Sequence, residues 1–222
     1  MSVHSNLKYV DVFRNPKWLL DNLLGRYKVI LYAPTGWVAS NAGSGSFGAG
    51  PDSVIVRTGT TANSRGMGIA FPVALNSGDM DYRYVDWRKY LEINTIIFRS
   101  ASDPEVIARL QLKETSTEGA LTGRGVGVEI RNYAMYGESY GTSRGTVAIG
   151  VLSDRRAVKL TIVKRMDRVE FYVNNVLQGS LEGAYVPADI GTAYLVISIV
   201  NGATGGVDAL FGATPPLIIQ EW

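Results

Sequence analysis

The segment RAVKLTIVKRMDRVEFYVNNVL, Arg156–Leu177, decides the fold class. Val158, Leu160 and Ile162 alternate with Lys159 and Thr161. After a turn at Met166 and Asp167, Val169, Phe171 and Val173 alternate with Arg168, Glu170, Tyr172 and Asn174. Successive side chains of a strand point to opposite faces, so this period of two predicts a hairpin with one core face and one wet face. Asn174 and Asn175 supply the next turn, because asparagine tolerates positive φ. The bases between Lys159 and Arg168 then belong to the wet face rather than to a nucleic-acid footprint.

The same texture extends outward in both directions. Tyr27–Tyr32 is β-rich, and Ser53–Thr58 places Val54 and Val56 on one face with Ile55 and Arg57 on the other. Met67–Val73 and Tyr90–Arg99 read as strands, while Ser40–Gly50 reads as a small-residue loop. In Glu105–Lys113, Val106, Ala108, Leu110 and Leu112 share a face opposite Arg109, Gln111 and Lys113. Tyr194–Val200 is apolar on both faces, as a covered central strand requires, and Leu217–Trp222 closes the chain as a last strand. About a dozen short strands, with no helical pattern after each, predict a mostly β, two-sheet antiparallel sandwich of jelly-roll type.

One helix is expected near the start. Asn15 can cap it, Pro16 sits where a missing N–H costs nothing, and Gly25 suits the left-handed exit. Residues 1–25 are thus read as an arm and short helix and residues 26–222 as the sandwich domain. The helix either covers one end of the sandwich or docks on a neighbouring subunit.

Bulk properties narrow the chemistry. The chain has 222 residues, 46% hydrophobic and 19% charged, and no cysteine. That length buries a sizeable core, and the missing cysteines exclude disulfides, thiolate metal sites and cysteine nucleophiles. The net charge of +2 comes with no Lys/Arg block, so no nucleic-acid partner is expected. Met1–Phe13 lacks the apolar core of a signal peptide, and no apolar run approaches a membrane span. The expectation is synthesis in the cytoplasm and a place in a virion or other extracellular assembly, reached by assembly or lysis or by a route the sequence does not show.

The Arg156–Leu177 hairpin resembles one that recurs in concanavalin A-like and laminin-G-like sandwiches, where an apolar strand leads through a turn into a v-x-F-Y-V-N/D-G strand. Asn175 stands where that pattern has glycine. Pro187 and the strand Tyr194–Asn201 also fall where that family has a proline and its next strand. The segment DSVIVRTGTTANSRG, Asp52–Gly66, is similar to a phrase in virion proteins of tailed phages that carry this sandwich. These similarities span residues 37–222. They imply a concanavalin A-like fold in a phage or virus structural setting, and they carry no activity.

The superfamily includes β-glucanases, whose laminarinase-like members carry Glu-x-Asp-x-x-Glu on one strand. The pattern is missing here: Glu92, Glu114, Glu129 and Glu170 stand singly. His4 is the sole histidine, which closes off Ser-His-Asp triads and multi-histidine metal sites. No catalytic residue is therefore assigned. Asp79, Asp81 and Asp86 form a loop cluster that calcium could take, against a reading in which Arg83, Arg88 and Lys89 neutralise them. Tyr82, Tyr84 and Trp87 crowd one segment, and Tyr133, Tyr136 and Tyr140 another. Such aromatics serve as sandwich core, subunit interface or sugar-stacking platform. The glycines Gly123, Gly125 and Gly127, lacking a following helix, read as bulges or turns rather than a nucleotide loop. The first functional expectation is a non-enzymatic structural protein that self-associates as a homo-oligomer or with other virion proteins. The second is a carbohydrate-binding, lectin-like module, and the third a glycan-cleaving enzyme.

Overall fold

The computed structural model describes residues 27–31, 37–70, 73–74, 84–100 and 105–221. The expected helix at 15–25 lies outside the described residues. Nineteen strands are present in this set: β1 (Tyr27–Leu31), β2 (Trp37–Ala39), β3 (Ser46–Ala49), β4 (Val54–Arg57), β5 (Arg65–Ala70), β6 (Val73–Ala74), β7 (Tyr84–Asp86), β8 (Leu91–Ser100), β9 (Ile107–Lys113) and β10 (Gly125–Arg131). The remainder are β11 (Ala134–Tyr140), β12 (Arg144–Val151), β13 (Ala157–Lys164), β14 (Arg168–Val173), β15 (Val176–Glu182), β16 (Ile190–Thr192), β17 (Tyr194–Val200), β18 (Leu210–Ala213) and β19 (Leu217–Glu221). The seven-stranded sheet runs β12-β11-β10-β9-β17-β5-β2. The larger sheet follows the path β15-β14-β13-β8-β18-β4-β3, with β19 joining β1 to β8. All pairings are antiparallel, and β7 and β16 form a separate ribbon.

The deciding hairpin forms as read. β13 and β14 pair with Ile162 opposite Phe171, and Asn174 and Asn175 take φ of 52° and 67° in a tight turn to β15. Leu160, Ile162, Val169 and Phe171 are buried between the sheets with Val126, Val128, Leu195 and Ile197 from the opposing one. The sheets meet so closely at Phe171 that a Cβ on Gly137 would lie 2.5 Å from its ring. β17 is a covered central strand, with Leu195–Ile199 buried throughout.

Three expectations are corrected. Ser40–Gly50 contains the strand β3, whose Phe47 ring packs over Gly68 and against Trp37. That strand is four residues long, with all but Phe47 exposed, too short to show alternation. Lys164 is fully buried on the core-facing side of β13, where its Nζ donates to the Lys89 carbonyl at 3.3 Å. Gly125 and Gly127 sit inside β10, not at a bulge or turn.

The free edges are blunted. Gln178 on β15 and Ile149 on β12 have no partner in the ladder, so each outer strand carries a bulge. At the opposite side both paths end in short strands, of four residues in β3 and three in β2. Bulged and short edges disfavour strand-to-strand pairing between molecules. Among the described residues, no helix is long and apolar enough to cross a membrane.

Candidate functional site

Register builds the site on the outer face of the seven-stranded sheet. β9 turns Ala108, Leu110 and Leu112 inward, so Arg109, Gln111 and Lys113 face outward. Pairing then sets up three rows across the sheet. The first is Ser198, Arg109, Glu129, Tyr136 and Ala148; the second is Val196, Gln111, Gly127, Glu138 and Thr146; the third is Tyr194, Lys113, Gly125, Tyr140 and Arg144. Although polar and facing away from the core, all three outward residues of β9 are buried, as are Glu129 and Glu138.

Buried charges persist only when paired and hydrogen-bonded. Arg109 Nε donates to Glu129 Oε2 at 2.7 Å, and its Nη1 pairs with Glu118. Arg131 Nη2 lies 2.5 Å from Glu129 Oε1. Arg144 bridges both acids, 2.8 Å from Glu138 Oε2 and 3.5 Å from Glu129 Oε1. Gln111 Nε2 reaches the other oxygen of Glu138. It crosses β10 because Gly127 lies between them with no side chain, and a Cβ there would come 2.9 Å from Gln111 Cγ. The β9–β10 connection folds back over this floor: the Gly119 carbonyl accepts from Gln111 Nε2 at 3.0 Å and from Lys113 Nζ at 3.3 Å.

Burial pushes the Lys113 amine down to about 8, opposed by the charges of Glu138 and Glu118, and burial does the same to Lys164, also to about 8. The unfolded chain therefore holds more protons between pH 8 and the ordinary lysine value of about 10.4, and the contribution of each lysine to stability rises with pH across that window. Methionine at position 113 removes the charged form altogether. The stability of Lys113→Met relative to wild type is expected to fall from about pH 7.5 to about pH 10. Urea titrations at the two pH values check this, and a difference that does not change with pH refutes it.

The site residues expected from sequence separate into groups. Tyr136 and Tyr140 share the outer face of β11, half-buried, with Glu138 between them. Four residues of extended strand set their Cα atoms about 14 Å apart. Tyr133 sits instead in the β10–β11 turn at φ 68°, under the Arg99 guanidinium 5.2 Å from its ring centroid. Its hydroxyl donates to Asp154 at 3.2 Å, and desolvation, then the Asp154 charge, raises its pKa. Trp87 is 0% exposed and belongs to the core, so it offers no face to a ligand. Tyr84 pairs through its backbone with Thr192, and Tyr82 lies outside the described residues. Asp79 and Asp81 also lie outside them. Asp86 has both carboxylate oxygens held by Arg88, at 2.9 Å each, and this hydrogen bonding lowers its pKa despite partial desolvation. That is the neutralised arrangement considered for this acid. Among the described residues, no three His, Cys, Asp or Glu side chains form a metal-binding group.

Glu129 and Glu138 form a carboxylate pair that linear spacing did not reveal, since it arises from the β10–β11 register. Glycoside hydrolysis needs one carboxylic acid to protonate the leaving oxygen and a second carboxylate facing the sugar. Here all four carboxylate oxygens are engaged by guanidinium or amide groups. What this face offers a ligand is aromatic rings and guanidinium donors.

Two antiparallel sheets packed over one apolar core make the fold a concanavalin A-like sandwich. Solved structures of that type superpose on the chain. The carbohydrate recognition domain of Emp47p does so with a TM-score of 0.55 at 10% identity, covering 88% of this chain and 94% of that one. The β-glucanase of Bacillus licheniformis gives 0.54 at 10% identity, covering 88% and 98%. The apo Crh5 transglycosylase gives 0.58 at 11% identity, covering 87% and 83%. No protein-family model matches the chain, and no curated protein matches it by sequence.

Proposed function

We propose that this domain binds glycans without cleaving them, through the outer face of the seven-stranded sheet. The observation that carries the reading is the placement of Tyr136 and Tyr140, half-buried on one strand face and flanking the Glu138–Arg144 pair. Sugar rings present apolar C–H faces to such rings, while guanidinium groups hydrogen-bond the hydroxyls. Support comes from the superposed structures, which include a carbohydrate recognition domain, a glucanase and a transglycosylase. The engagement of all four carboxylate oxygens supports binding over hydrolysis.

A glycan array read with and without calcium tests the proposal. At least one binder is expected, and Tyr136→Ala and Tyr140→Ala should each weaken it about tenfold, the scale of one lost aromatic contact. An array without a binder overturns the reading. Release of reducing ends from a polysaccharide by pure protein overturns its non-cleaving half.

Self-association is a second reading. It is favoured by exposed Val151, Val176 and Leu177 on the two outer strands β12 and β15. Because those strands are bulged, contact would run through side chains rather than a shared ladder. Light scattering that shows only monomer at high concentration removes it.

A further inference from the structure

We infer that the glycan bound on this face carries carboxylate groups, as in a uronic-acid oligosaccharide, and that Arg131 and Arg144 select it. The inference rests on the glycan-binding reading and adds the substrate class.

It follows from how charge is layered on the face. The acids lie at the bottom, with Glu129 1% and Glu138 0% exposed at the side chain. The bases lie above them: the Arg131 side chain is 50% exposed and that of Arg144 27%. Arg109 and Lys113 are sealed beneath the β9–β10 connection, and its acid Glu118 is spent on Arg109. A ligand approaching Tyr136 and Tyr140 therefore meets guanidinium groups first, with the compensating carboxylates out of reach.

These guanidinium groups are incompletely used. Arg131 spends Nη2 on Glu129, and Arg144 spends Nε and Nη2 on its two acids. Among the described residues, Nε and Nη1 of Arg131 and Nη1 of Arg144 make no hydrogen bond. The planar guanidinium fork matches a carboxylate in two parallel N–H···O bonds, a geometry that a sugar hydroxyl does not supply. Both arginines are also held in place by buried partners, so little side-chain freedom is lost on binding. A carboxylated ring stacked on Tyr136 or Tyr140 brings its acid to the neighbouring guanidinium, since Arg144 lies directly opposite Tyr140 in the ladder.

Calorimetry with oligogalacturonate and with its methyl ester, which has the same backbone without the charge, tests this directly. The acid is expected to bind at least tenfold more tightly than the ester. Raising the salt concentration should narrow the gap. Arg131→Gln should shrink it severalfold, since its half-exposed side chain can be changed with little effect on the fold, while Arg57→Gln on β4 of the other sheet should leave it intact. Equal affinity for acid and ester overturns the inference but leaves glycan binding standing, as does a protein that binds only neutral glycans. An equal loss from Arg57→Gln also overturns it, by reducing the effect to overall charge. Failure to bind either probe or any array glycan overturns both readings.

Discussion

Glu129→Leu is expected to lower the free energy of unfolding by about 3–5 kcal/mol, the cost of removing one partner from a buried ion pair. The carboxylate is 1% exposed and receives three guanidinium groups, from Arg109, Arg131 and Arg144. Leucine fills the volume but offers none of them an acceptor. Arg131 can turn to water because half of its side chain is already there, and Arg144 keeps Glu138. Arg109 has no such route. Its side chain is 9% exposed, and once Glu129 is gone only Glu118 remains to it. Glu129→Gln keeps one acceptor oxygen while losing the charge, and should fall between wild type and leucine. Urea denaturation of the three proteins gives the ordering. A leucine variant within about 1 kcal/mol of wild type would mean that the network contributes only packing.

Trp87→Ala is expected to cost a similar amount, about 3–5 kcal/mol, from lost transfer energy and the cavity left behind. For a chain of this length that corresponds to a fall in Tm of roughly 6–20 °C. Trp87 is 0% exposed, follows β7 directly, and has its backbone N–H on the Asp189 carbonyl at 2.7 Å. The indole therefore ties the β7–β16 ribbon to the main core. If this assignment is right, Trp87→Phe recovers part of the stability and leaves glycan affinity unchanged. Tyr136→Ala does the reverse, costing affinity with little loss of stability. Paired calorimetric melts and binding titrations separate the two. A Trp87→Phe variant that stays stable but loses its ligand would return Trp87 to the binding face.

These two side chains show where reading the sequence stops. Trp87 and Tyr136 each sit in an aromatic-rich stretch, and both were open to core, interface or ligand roles. For Tyr136 the face came from the structure, where Met135 and Gly137 on β11 point into the core and Tyr136 points out. For Trp87 the segment is a short turn after a three-residue strand, with no period to indicate direction. Glu129 was harder still. On a wet strand face a lone glutamate is solvated, and what makes it otherwise is the Glu138 beside it and the β9–β10 connection above. The same holds for Gly127, which looked like a turn signal and serves as the gap through which Gln111 reaches Glu138.

The net charge of +2 gave no reason to expect a nucleic-acid partner, and as an average it is silent on how the charges are arranged. Alternation between Val158 and Val173, two apolar faces in Tyr194–Val200 and turn residues at Asn174 and Asn175 were enough to determine a two-sheet β-sandwich. These are local properties, and the period of a strand is written in consecutive residues. Which sheet edge meets solvent, which acids sink beneath which bases and which tyrosines share a face were decided only in the tertiary structure. They depend on pairing register between strands distant along the chain, and a shift of one residue would turn every one of those side chains to the opposite face.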